Sequence, residues 1–204
     1  AVLLNDIALS SNLIVWGSFK SEGKAISLDG YKMNLLTTDN ENVITKTSGT
    51  VYIGTNSVSG TMTGNINACE STKVIFKGTV VYTGQMSGAA ALAVEYGKLT
   101  ISGGIHEIES ISLTAEYKTP SQIVFENNAN VTVNGNCNLK GSKPFNDGTA
   151  IFKINDATVT ISGNMVVGDG NSNNLAEIYM TDINSVLKVY GDCLCLGYYS
   201  HSMS

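Results

Sequence analysis

The stretch ATVTISGNMVVGDG, residues 157–170, decides how the chain is read. Val159, Ile161, Met165 and Val167 alternate with small or polar residues, the period-two pattern of half-buried strands. Ser162, Gly163 and Asn164 interrupt it with corner chemistry rather than strand chemistry. The same phrase recurs as VTVNGNCNLKG from Val131, LTISGGIHEI from Leu99 and LKVYGDCLCLG from Leu187. Looser copies are VIFKGTVVYTG from Val74 and ISLDGYKMNL from Ile26. VYIGTNSVSG from Val51 fits with Thr55 in the glycine's place. The starts are 25, 23, 25, 32, 28 and 28 residues apart. A period in the range of about 20 to 50 residues signals stacked supersecondary units.

A second apolar piece precedes each of the better copies: AIFKIND, QIVFENN, ALAVEYG and EIYMTDI. Three short strands and three turns then account for one repeat. This predicts an all-β fold, a right-handed parallel β-helix (solenoid) of about seven three-strand coils, the hand being the usual one for parallel crossovers. Residues 1–22 are expected to form an N-terminal capping half-coil with Trp16 over the first core layer. Residues 23–197 form the β-helix, and residues 198–204 are a tail expected to continue into further sequence. The chain begins at Ala1 without a methionine or a recognisable signal sequence, which suggests a processed product or an excised fragment.

Gly30, Gly78, Gly103, Gly135, Gly163 and Gly191 are expected to form one corner column, where glycine takes a positive φ at least cost. Asn136, Asn164 and Asp192 follow it, and their side chains should stack and satisfy turn backbone groups. Alternation points Ile26/Leu28, Val51/Ile53, Val74/Phe76, Leu99/Ile101, Val131/Val133, Val159/Ile161 and Leu187/Val189 inward. After the corner, Val80, Ile105, Cys137, Met165 and Cys193 should stack inward, with Leu139, Val167 and Cys195 two residues on. Ser27, Tyr52, Ile75, Thr100, Thr132, Thr160 and Lys188 should point out.

The chain has 204 residues, 43% hydrophobic, with two prolines and no apolar run long enough for a membrane span. A net charge of −5 disfavours nucleic acid as a partner and repels acidic polysaccharides. The twelve basic residues are all lysines, so bidentate clamping of carboxylates has no arginine to perform it. Cys69, Cys137, Cys193 and Cys195 are read as buried small hydrophobes without disulfides.

Residues 5–38, NDIALSSNLIVWGSFKSEGKAISLDGYKMNLLTT, resemble the opening of β-helical repeats in bacterial cell-surface and adhesin-like proteins. The later coils resemble autotransporter-passenger-like β-helices. The resemblance implies extracellular display at the cell surface and binding, and it carries no catalytic motif. Pectin-degrading lyases and hydrolases share the architecture, which keeps a carbohydrate-active enzyme as the alternative.

Glu107 and Glu109 beside His106 form the best carboxylate group for acid–base work, against a plain surface turn. Asp169, Asn171, Asn173 and Glu177 match four ligand positions of a calcium loop. Asn174 replaces its turn glycine and Met180 its bidentate glutamate, so a solvated turn is favoured and no cofactor is expected. Thr100, Thr132 and Thr160 make one column of an ice-binding lattice whose second column is broken. Outward Tyr52 and Tyr190 are the aromatics for binding a glycan or protein ligand. An exposed apolar column of Val81, Val166 and Leu194 offers self-association.

Overall fold

The computed structural model describes residues 1–36, 40–41, 43–57, 59–68, 71–88, 90–116, 119–142, 148–169 and 175–196. Among them every element is a strand. In chain order these are β1 (Ile7–Ala8), β2 (Leu13–Val15), β3 (Phe19–Lys20), β4 (Ile26–Ser27), β5 (Lys32–Leu35), β6 (Asn40–Glu41), β7 (Val43–Ile44) and β8 (Gly49–Ile53). Then come β9 (Ser59–Met62), β10 (Ile66–Ala68), β11 (Thr72–Tyr82), β12 (Met86–Gly88), β13 (Ala91–Ser102), β14 (Ile105–Ile108) and β15 (Ser110–Thr114). The last are β16 (Ser121–Val133), β17 (Cys137–Lys140), β18 (Ala150–Ile161), β19 (Met165–Gly168), β20 (Ala176–Met180), β21 (Val186–Val189) and β22 (Cys193–Leu196).

All strand pairs are parallel, and most of them join one large sheet of 15 strands. Its main ladder runs through nine strands, β2-β5-β8-β11-β13-β15-β17-β19-β22. A second stack runs from β9 through the later halves of β11 and β13 to the first halves of β16 and β18, then β20. A third holds β1 with β4, then β7, β10 and β12 in a separate sheet, and then β14, the later halves of β16 and β18, and β21. The chain thus visits three stacks in rotation, the pattern a parallel β-solenoid requires.

The rotation is faster at the start than the sequence repeat suggests. Met33 pairs with Val51 and Leu92 with Ile111, steps of 18 and 19 residues, whereas Cys137 pairs with Met165 and Met165 with Cys193, steps of 28. Among the described residues the main ladder thus has nine strands where about seven coils are expected. The starts Val131, Val159 and Leu187 do lie in register, and so do Val51 and Val74. Leu99 instead pairs with Val80 and Ile123, and Ile26 with Ile7. Residues 1–22, expected as a capping half-coil, pair with later parts of the chain: Val2 bridges Lys20, β1 pairs β4 and β2 pairs β5. Trp16 covers no core layer: it is 77% exposed.

The glycine column splits for the same reason. Gly163 N–H donates to the Gly135 carbonyl and Gly191 N–H to that of Gly163, so these three do stack. Gly78 aligns with Gly97, and Gly103 donates to the Glu126 carbonyl at another corner. Gly78 and Gly103 have positive φ (79° and 69°), whereas Gly135, Gly163 and Gly191 do not. In that trio glycine is needed for close approach, since a Cβ on Gly163 would lie 2.6 Å from the Gly135 carbonyl oxygen. The amide ladder forms beside it: Asn164 N–H donates to Asn136 Oδ1 (2.8 Å) and Asp192 N–H to Asn164 Oδ1 (2.9 Å).

The core is one contiguous cluster that includes the expected inward pairs from Ile26/Leu28 through Val159/Ile161, all buried. Leu187 and Val189, on the last pass, are half-buried. Val80, Cys137, Leu139 and Met165 are buried as expected. Cys193 and Cys195 are exposed free thiols, because no described strand lies beyond β22, while Cys137 is buried and free and Cys69 lies outside the described residues. Ile75 and Thr100 keep outward register but are buried, Ile75 between Tyr52 and Ala93 and Thr100 between Val81 and Val124.

Candidate functional site: a lysine-flanked tyrosine hollow

Val51 and Ile53 are buried, so alternation along β8 turns Tyr52 outward. Asn34 on β5 lies in register on one side of it and Ile75 on β11 on the other. Two ammonium groups flank the ring, Lys77 Nζ at 4.9 Å and Lys32 Nζ at 6.0 Å from its centroid. The nearer distance is well inside the range of cation–π attraction. Lys77 Nζ also pairs with Glu95 Oε2 at 3.3 Å and approaches the Tyr96 ring at 5.7 Å. Beyond β8 the chain turns at Gly54, whose N–H donates to the Leu35 carbonyl at a φ of 81°. That turn places Thr55, Asn56 and Ser57 along the rim of an open hollow of about 570 Å³, lined also by Lys32, Asn34, Leu36, Tyr52 and Lys77. Asn34 Oδ1 is enclosed and has no hydrogen-bond partner among the described residues.

The structure therefore places Tyr52 in an open hollow flanked by two ammonium groups. Tyr190 is not part of it: it is 75% exposed at the turn after β21, on the ninth pass of the ladder while Tyr52 is on the third. The two aromatics do not converge on one ligand. Sequence reasoning missed Lys32, Asn34 and Lys77. The signal that could have found Lys32 and Asn34 is the step of 18 residues from Asn34 to Tyr52, which a uniform longer coil hides, whereas Lys77 stands two residues after Ile75, the partner of Tyr52 at the repeat's own step of 23.

Of the group around β14 it is the histidine that departs: Glu107 is exposed and Glu109, two residues on, is half-buried. His106 lies in register with the buried Val131 and is itself 1% exposed, whereas Glu107 faces solvent and accepts from Asn134 Nδ2. Opposite sides of one strand cannot supply a base and an acid to a common substrate atom. His106 has a structural task instead. Its Nδ1 accepts the Met86 N–H (3.3 Å) where β12 and β14 make no ladder, and its Nε2 donates to the Gly103 carbonyl (2.7 Å). The ring packs 6.0 Å from that of Tyr82, whose hydroxyl donates to the Gln85 carbonyl. Burial pushes the His106 pKa below its ordinary 6.5, only partly opposed by the Gly103 bond.

A pH prediction follows. The unfolded chain takes up a proton near pH 6.5 and the folded chain does not, so stability is full above that pH and falls below it. The slope is at most about 1.4 kcal/mol per pH unit, down to the lowered pKa. Denaturation midpoints between pH 5 and pH 7 should show this slope, and His106→Gln, which keeps an acceptor for Met86, should flatten it. An unchanged slope in that variant would place the titration elsewhere.

Of the calcium-loop residues, Asp169 pairs with Lys140 Nζ (3.4 Å) and Glu177 accepts from the Tyr179 hydroxyl (2.6 Å). Asn171 and Asn173 lie outside the described residues. Among the described residues no three His, Cys, Asp or Glu side chains gather to hold a metal ion. The threonine column breaks at Thr100, which sits between Val81 and Val124, while Thr132 and Thr160 lie in register with Glu107 and Lys188. The apolar column also divides: Val166 and Leu194 pair, but Val81 belongs to another stack. No described helix is long and apolar enough to cross a membrane. No protein-family model matches the chain, and no curated protein or solved structure matches it significantly.

Proposed function

We propose that the chain is a right-handed parallel β-helix module of a bacterial surface protein, adhesin-like and non-enzymatic, which binds a carbohydrate or protein ligand on its outer face. The carrying observation is the Tyr52 hollow. Its volume of about 570 Å³ is that of a small-ligand site, and it combines one aromatic ring with amide, hydroxyl and ammonium groups. The rotation of the chain through three parallel stacks supports the β-helix, and the usual crossover hand supports its right-handedness. Extracellular display rests on the resemblance of residues 5–38 alone.

The alternative, a carbohydrate-active enzyme of the pectin-degrading type, loses support from the separation of His106 and Glu107. A glycan array and a panel of host surface proteins test the proposal. At least one ligand should bind, and Tyr52→Ala should weaken it about tenfold or more while Tyr190→Ala leaves it within about twofold. Pectate, xylan and alginate should show no turnover with or without calcium. Turnover that disappears in a Glu107→Gln, Glu109→Gln variant would replace the binding module with the enzyme.

A further inference from the structure

We infer that the ligand of the Tyr52 hollow is an acidic saccharide, one carrying a uronic acid, whose carboxylate is held by Lys32. The inference rests on the binding-module reading and names its ligand class. Three observations lead to it.

The first is charge. The chain as a whole carries −5, yet this hollow gathers two ammonium groups against one carboxylate. Glu95 is paired with Lys77, whereas the Lys32 ammonium lies beside the Tyr52 ring and has no ion pair among the described residues. A local field of this sign attracts an anion whatever the distant charges do, because charges beyond about 10 Å are largely screened at ordinary ionic strength. Lysine is a point charge rather than a fork, which suits a single carboxylate at the edge of a ring better than a clamped phosphate.

The second is the ring. Tyr52 offers an amphipathic surface between the two cations, and a sugar ring brings both an apolar C–H face and hydroxyls to such a surface. The third is the polar rim. Thr55 and Ser57, whose hydroxyls bond each other at 3.3 Å, and Asn56 present small hydrogen-bonding groups there, and the enclosed Asn34 oxygen has no hydrogen-bond partner among the described residues. A turn about the terminal torsion of Asn34, which is soft for such side chains, would present that amide to a ligand hydroxyl. A carboxylate, an apolar face and a set of hydroxyls on one small molecule describe a uronic acid.

The test titrates the intact chain with methyl β-D-glucuronide and with methyl β-D-glucoside, which differ only in the carboxylate, and follows binding by NMR. Acetate and a short glutamate peptide serve as competitors. The glucuronide should bind at least about tenfold more tightly than the glucoside and lose that advantage at high salt. Lys32→Gln should abolish the preference, and Tyr52→Ala should remove binding of both sugars. Both side chains point outward, so unchanged denaturation midpoints will show that the variants fold. Equal binding of the two sugars would overturn the acidic-saccharide inference and leave the binding module standing. Acetate or the peptide competing as well as the glucuronide would overturn it too, by reducing the hollow to a general anion patch. No binding of the glucuronide, with another array ligand that depends on Tyr52, would also end this inference alone. If no ligand depends on Tyr52, the binding-module reading falls with it.

Discussion

Met165→Lys is expected to abolish cooperative folding. Met165 has no solvent exposure and lies in register between Cys137 and Cys193 in the main ladder. The core cluster around it is apolar, and no described carboxylate faces it from that column. An ammonium there has two options. It stays charged and unpaired, at a cost of several kcal/mol, or it gives up its proton through a strongly depressed pKa at comparable cost. Either consumes much of the roughly 5–15 kcal/mol that holds a typical domain together. Met165→Leu, nearly equal in volume, should cost less than about 1.5 kcal/mol and separates the charge effect from mere repacking. Chemical denaturation followed by near-ultraviolet circular dichroism measures both. A Met165→Lys chain with a sharp transition near the original midpoint would mean that the inward column is wrongly drawn.

That column was legible because alternation is a local property. Val51 and Ile53, Val74 and Phe76, and Leu99 and Ile101 are buried as period two requires, although the last pair belongs to another stack than the first two. Stack membership is a non-local matter, set by how many residues each corner consumes. Matching copies by their glycines aligned unlike corners. The corner after Leu99 and Ile101 joins another pair of stacks, so the offset that correctly buries Cys137 and Met165 fails at Ile105, which is 70% exposed, while His106 turns inward. The strands β11, β13, β16 and β18 also run through a corner without ending, using Gly78, Tyr96 and Gly97, Asn127 and Asn128, or Asp156 at positive φ. Asn and Asp tolerate that region better than most residues, which makes them weak sequence markers of a bend. The candidate site was half legible. An outward tyrosine follows from alternation, but Lys32 and Asn34 beside it depend on the short early step of the chain.

The strongest backbone test of the stacked corner is Gly163→Ala. Gly163 is outside the left-handed region, so alanine could adopt its φ, and conformational preference alone predicts little loss or a slight gain. Space predicts the reverse. The new Cβ would sit 2.6 Å from the Gly135 carbonyl oxygen and 2.5 Å from Asn136 Oδ1, closer than real Cβ contacts allow. Neither neighbour is free to yield. The Gly135 carbonyl accepts the Gly163 N–H at 3.0 Å, and Asn136 Oδ1 accepts the Asn164 N–H at 2.8 Å. Relieving the contact must stretch two hydrogen bonds of the corner or push the two passes apart. The cost should therefore approach the upper part of the roughly 1–3 kcal/mol seen for overpacking. Gly17→Ala is the matched control, with open space around its Cβ and no positive φ, and it should stay within about 0.5 kcal/mol of the parent. Gly103→Ala tests the other mechanism, because the nearest atom to its Cβ would be the Asn127 carbonyl oxygen at 3.4 Å while its φ is 69°. It should cost about 1 kcal/mol through backbone strain alone. The expected order is Gly163→Ala most destabilised, Gly103→Ala between and Gly17→Ala unchanged. If Gly103→Ala costs more than Gly163→Ala, then positive φ rather than close approach dictates glycine at the corners of this chain.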